Sequence, residues 1–190
     1  MKYLSAIAAI VVASAVSGCI GEKMAVPQPS MATLQLLRDG NLPGMAVGPF
    51  ALAPGKPESM DKSVTIRSVV LEPQGDSLAR YLGETLEADL RAAGKLDASS
   101  PLSVQGLLTD SQVDSGIGTG HAALGATFIL SKSGKTIFSK DFSVNSSWDS
   151  SFVGAVAIPD AMNNYTALYN ELAAKLFADS EFIAAAKASK

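Results

Sequence analysis

The sequence is short of the residues from which polar chemistry is usually built. It has one cysteine (Cys19), one histidine (His121) and one tryptophan (Trp148), and only 17% of it is charged. A lone cysteine closes no internal disulfide, and with a single histidine it supplies no zinc-binding set. The formal net charge is −3 and no basic run of five or more residues occurs. Nucleic acid is excluded as a partner, because displacing counterions from phosphates requires clustered Lys and Arg. No cofactor fingerprint is present. Gly116-Ile117-Gly118-Thr119-Gly120 has the glycines of a phosphate cradle, but a strand pattern follows it and no Lys-Ser/Thr pair accompanies it, so it reads as a flexible turn or bulge leading into Ala122. A histidine-based triad would have to join His121 to Asp110, Asp114 or Asp149, and no Gly-x-Ser-x-Gly elbow presents a nucleophile. The expectation is a chain with no cofactor, no metal and no enzymatic activity.

What is present begins at the N-terminus. Lys2 is followed by the uncharged apolar run Leu4 to Val16, then by Val16-Ser17-Gly18-Cys19. The run is well short of the roughly 20 residues that span a bilayer. It has the build of an export signal with small residues at the cleavage position. These residues resemble the lipobox of bacterial lipoproteins, with Val16 standing where that motif normally has Leu. The resemblance implies cleavage after Gly18 and acylation of the Cys19 thiol, which is nucleophilic as thiolate. With several acyl chains such an attachment is effectively permanent. Ile20-Gly21 follows Cys19 where an inner-membrane sorting signal would carry Asp, so the resemblance further implies an outer-membrane location with the domain facing the periplasm.

Four stretches follow from this reading: 1–18 signal peptide, 19–41 lipidated N-terminus and flexible linker, 42–179 a single domain, and 180–190 a short helical tail. Removing the signal leaves roughly 170 residues, enough for one core. Pro27 and Pro29 lie in an aperiodic segment, Glu22 to Met31, which is expected to hold the domain off the bilayer by at most about 40 Å. Thr33 to Arg38 fits either a helical turn or extended chain.

Two early strands are expected at Met45–Phe50 and Val64–Leu71, with Val64, Ile66 and Val70 on one face and Arg67 pointing away. Asp76 is the expected N-cap of a helix carrying Leu78, Leu82, Leu86 and Leu90, closed by Gly94. Arg80–Glu84 and Glu87–Arg91 are i,i+4 pairs on its solvent face. The leucines suit a core, or alternatively a partner-binding stripe. A strand at Leu102–Leu108 and a turn region from Thr109 to Gly120 come next. Two alternating strands follow, the first with Leu124, Ala126, Phe128 and Leu130 inward, the second with Phe138, Phe142 and Val144. Lys140 snorkels from that second face, and Ser131–Lys135 joins the pair as a hairpin. A second helix is expected to start at Pro159, to bury Met162, Tyr165, Leu168 or Tyr169, Leu172 and Leu176, and to stop at Asp179-Ser180. The last residues are expected to be frayed helix.

This order predicts an α+β fold: a mainly antiparallel, mixed sheet of about five strands with two helices on one face, in which Val64–Leu71 and Leu102–Leu108 can pair in parallel. The element order and the passage from Ser147 to Pro159 resemble the auxiliary lipoproteins of ABC-type lipid transport, the lipopolysaccharide-assembly lipoprotein and uncharacterised proteobacterial lipoproteins. The resemblance assigns no chemistry; the expected lipid anchor, the linker and the missing catalytic constellation favour a membrane-anchored, non-enzymatic accessory that binds an envelope protein partner or a lipid. A hydrolase or acyltransferase of envelope polymers is the competing class. The aperiodic stretch Trp148 to Ile158 either covers the end of the sheet or forms a contact patch. In the second case Trp148 and Phe152 would lie beside Gly116, Gly118 and Gly120 as the partner surface.

Overall fold

The structure, a computed structural model, describes residues 20–188, so Gly18 and Cys19 lie outside the described residues. The chain runs through β1 (Ile20–Lys23), α1 (Met31–Asp39), β2 (Ala46–Leu52), a short 3-10 turn at Glu58–Asp61, β3 (Val64–Ile66) and β4 (Val69–Glu72). It continues through α2 (Leu78–Ala92), β5 (Leu102–Asp114), β6 (Gly118–Lys132), β7 (Lys135–Ser150), α3 (Gly154–Ala178) and α4 (Ser180–Lys187). The fold is α+β, but the strands form two mixed sheets, one ordered β2-β5-β6-β7 and a smaller one ordered β1-β4-β3. Among the described residues, seven strands and four helices thus stand where about five and two were expected.

The helix with the clearest sequence signal forms as its spacing dictates. Leu78, Leu82, Leu86 and Leu90 have no exposed surface and pack in the main core, so the stripe is core and not a partner surface. Its N-cap is Ser77, one residue later than expected, whose hydroxyl accepts from Arg80 N–H at 3.0 Å. Asp61 reaches in from the 3-10 turn to accept from the Ser77 hydroxyl and from Ala79 N–H, which occupies the orphan donors Asp76 was expected to serve. Gly94, at φ +67, ends the helix, and both i,i+4 ion pairs form.

The parallel partner of β5 is β2, with α2 on the connection between them, and not the Val64–Leu71 segment. That segment is itself two strands. Arg67 has a φ of +54, the chain reverses at Arg67–Ser68, and Ile66 pairs with Val69. The reversal changes the pattern of burial: Val69 and Leu71 are buried while Val70 is only half-buried.

The long meander is cleaner than the sequence suggests. Thr109–Asp114 continues β5 and Gly118–Gly120 already belongs to β6, leaving a turn of only Ser115–Ile117. Sheet pairing overrides the weak strand preference of Asp, Ser and Gly here. On β6, Leu124, Ala126, Phe128 and Leu130 are fully buried, and the hairpin to β7 turns at Ser133-Gly134, both at positive φ. α2 covers β2 and β5 while α3 covers β6 and β7, so both contribute to one core on the same face. α3 buries both Leu168 and Tyr169, and it starts at Gly154, five residues before Pro159. Pro159 sits inside the helix at an exposed position, where Ala155 C=O loses its usual donor but faces solvent.

The expected linker is part of the fold. β1 pairs in parallel with β4, Met24 is 2% exposed, and α1 packs on α2 and α3. Although aperiodic, the segment between them is held from outside by side chains of the body. Gln74 Nε2 donates to Met24 C=O at 2.7 Å, Tyr81 OH donates to Ala25 C=O at 2.8 Å, and Ser30 N–H donates to Asp89 Oδ1 at 2.8 Å. The tail is likewise folded: α4 is N-capped by Asp179 and buries Phe182 and Ala186 completely.

Candidate functional site

Three segments far apart in sequence meet at one end of the domain: the β3–β4 turn, the β5–β6 loop and the β7–α3 connection. Arg67 ties them together. Its Nε donates to Ser115 C=O at 3.1 Å, Nη1 to Phe152 C=O at 3.2 Å and Nη2 to Ser151 C=O at 2.6 Å. No carboxylate among the described residues forms an ion pair with it. The planar five-donor fork of a guanidinium can serve three carbonyls at once; a lysine ammonium on a flexible stem cannot hold that geometry. Hydrogen bonds from a charged donor contribute about 1.5–3 kcal/mol each when well shielded, and Arg67 is only half-buried. Arg67→Ala is therefore expected to lower the unfolding free energy by about 2 kcal/mol in urea denaturation, with Arg67→Lys recovering part of it. Unchanged stability in both would mean that water serves the three carbonyls equally well.

Around this clasp the structure sorts the sequence-predicted residues into two groups. Trp148 is half-buried, packs against the core and lies across the strand from Gly120. A Cβ at Gly120 would fall 2.3 Å from the indole Cε2, so the glycine is what lets the ring lie flat on β6. The indole thus covers the end of the sheet, with Nε1 enclosed and unpaired. Phe152 does the opposite: it is 77% exposed, as are its neighbours Val153 and Val156 at 55% and 50%. Across from them, Gly116 and Gly118 flank Ile117, which is 73% exposed, and Gly118 pairs with Ser150 at a φ of +93. The structure therefore brings Gly116, Gly118, Gly120, Trp148 and Phe152 to one end, as a covering indole beneath an exposed apolar tip. The sequence does not single out Arg67, because strand alternation assigns it to solvent and its three acceptors become neighbours only in the folded chain.

Two other clusters hold residue types that can carry chemistry. His121 lies opposite Asp114 on the solvent face of the large sheet, with Ser147 on its other side, lining a groove of about 320 Å³. No hydrogen bond or ion pair joins His121 to Asp110, Asp114 or Asp149, and no group of three or more metal-ligating side chains occurs among the described residues. In the core, Ser111 Oγ, Tyr165 OH and Tyr169 OH form a chain with steps of 2.7 and 2.9 Å. Burial pushes Tyr165 up to about 12 and Tyr169 well above the ordinary phenol value, so both hydroxyls stay protonated and satisfy one another. The two tyrosine hydroxyls lie in the core, and only Ser111 borders a surface groove.

No family model matches the chain, and no curated protein matches it. Among solved structures, it is similar to the Xanthomonas campestris protein XCC0632, described with the family model DUF330, at 14% identity and a TM-score of 0.60, covering 90% of this chain and 99% of that one. A minor lipoprotein from Acinetobacter baumannii aligns at 12% identity and a TM-score of 0.43, over 70% of this chain and 87% of its own. What the chain shares with the Xanthomonas protein is its fold, over nearly the full length of both.

Proposed function

We propose that the chain is an exported lipoprotein, cleaved after Gly18 and acylated at Cys19, whose domain is held at the outer membrane facing the periplasm. There it acts as a non-enzymatic accessory in envelope transport or assembly, binding an envelope protein partner or a lipid. The observation that carries this reading is the sequence Val16-Ser17-Gly18-Cys19 behind an apolar run, with the only thiol of the chain immediately ahead of the first strand. No helix among the described residues is long and apolar enough to cross a membrane, so an acyl anchor would supply the attachment that the described helices do not. The competing reading, a hydrolase or acyltransferase, needs a nucleophile and base converging in a concave site. The His121 groove joins no such pair.

Metabolic palmitate labelling tests the anchor. The wild-type chain is expected to carry label and to sediment with membranes, with intact mass showing a modified Cys19 at its N-terminus. Cys19→Ala is expected to lose all label. An unlabelled wild-type chain recovered in the soluble fraction would overturn the proposal.

A further inference from the structure

Four of the seven exposed large hydrophobic side chains among the described residues, Ile117, Phe152, Val153 and Val156, belong to the Arg67 end of the domain. The segments that carry them, residues 115–120 and 150–158, contain no charged residue. Charge resumes at Asp114 and Asp149, both exposed, which form a rim behind the tip. Three backbone carbonyls there, those of Ser115, Ser151 and Phe152, are satisfied by Arg67.

The chain enters the fold at this same end. β1 runs parallel to β4 with Ile20, the residue that follows Cys19 in sequence, beside Val69, only two residues past Arg67. Resting on the acylation proposed above, we infer that the tip formed by Ile117, Phe152, Val153 and Val156 inserts into the interfacial layer of the bilayer that holds the Cys19 acyl chains. The domain then lies docked end-on upon the membrane, its depth limited by the Asp114 and Asp149 rim. It does not swing on a linker. The acyl chains place the tip against lipid before any other partner arrives, and an apolar tip whose one charged group, the half-buried Arg67, is engaged by three backbone carbonyls is what a lipid interface accepts.

The test uses the full acylated chain reconstituted in phosphatidylethanolamine–phosphatidylglycerol vesicles. Phe152→Cys places a thiol at the tip, and Lys135→Cys places one at the β6–β7 hairpin, roughly 45 Å away along β6. Both positions are exposed, and with Cys19 acylated each is the only reactive thiol. An environment-sensitive fluorophore at position 152 is expected to shift to the blue, to be quenched by doxyl-labelled lipid, and to react with water-soluble quencher about tenfold more slowly than the label at 135. Equal exposure of the two labels to water, in a chain whose mass shows an acylated Cys19, would overturn the inference and leave the anchor standing. An unmodified Cys19 would remove the anchor itself. A label at 152 that is shielded only when copies of the chain are crosslinked to each other, or only in native membranes and not in vesicles, would assign the tip to a second copy or to a protein partner and overturn the lipid occupant.

Discussion

Replacing Phe182 with alanine is expected to lower the unfolding free energy by about 3–5 kcal/mol, the range for removing a fully buried aromatic ring from a core that only partly collapses. Phe182 has no exposed surface, and its ring meets Phe138 edge-on at 5.5 Å and Phe177 at 5.8 Å. The helix that carries it is short and would not persist alone. It is fixed at its start by Asp179, whose Oδ1 accepts from Glu181 N–H at 3.0 Å and Phe182 N–H at 2.9 Å, while Lys140 Nζ bridges Asp179 and Glu181 at 2.8 and 3.0 Å. Losing the ring therefore opens a cavity against β7 and α3 and also frees α4. Phe182→Leu, which keeps most of the volume, is expected to cost about 1 kcal/mol. Urea denaturation followed by far-ultraviolet circular dichroism reads both. If Phe182→Ala and Phe182→Leu were equal and small, the C-terminal residues would be frayed, as the sequence suggests.

The tail and the N-terminal segment are hard to read in the sequence for the same physical reason. Amphipathic periods announce themselves when an element is long enough to repeat them, which is why the four leucines of α2 and the alternation of β6 were legible. Phe182 and Ala186 make only one i,i+4 step, and β1 offers four residues whose partner strand lies some fifty positions later. The segment between β1 and α1 has no period because Gln74, Tyr81 and Asp89 pin its backbone from outside. Nothing within Pro27-Gln28-Pro29-Ser30 encodes those contacts.

At the candidate site the sequence located the right stretch but could not resolve its parts. Trp148 to Ile158 lacks a single period because it crosses three environments in succession: the end of β7, the clasped connection and the first turns of α3. The glycines at 116, 118 and 120 likewise serve separate ends, Gly120 accommodating the indole and Gly118 turning the chain beneath Ile117. The proposed acylation at Cys19 and the apolar tip are read from separate parts of the sequence. Only the parallel pairing of Ile20 with Val69 brings the start of β1 to the tip, and the proposed end-on docking rests on that pairing.

Asp89→Asn is expected to stabilise the protein by about 2 kcal/mol at pH 7 and to have no effect below about pH 4. Burial is the main reason that the Asp89 carboxyl is held up to about 6, only partly opposed by the Ser30 N–H bond to Oδ1 and the nearby Thr33 hydroxyl. The opposition is weak because neither Asp89 Oδ2 nor Thr33 Oγ1 has a partner at hydrogen-bond distance. An unfolded aspartate titrates near 4. Between pH 4 and 6 the folded state therefore holds a proton that the unfolded state has released, and stability falls as pH rises through that window; above it the buried charge is carried at full cost. A shift of this size corresponds to about 3 kcal/mol, which the desolvation of the asparagine amide at the same buried position trims to the expected 2. Asparagine keeps the acceptor for Ser30 N–H and supplies, where Oδ2 stood, a donor that Thr33 Oγ1 can accept. Because other carboxyls titrate in the same range, the quantity to follow is the difference between the two proteins in urea denaturation from pH 4 to 8. A difference that persists unchanged at pH 4 would assign the gain to the new Thr33 hydrogen bond and not to removal of a buried charge.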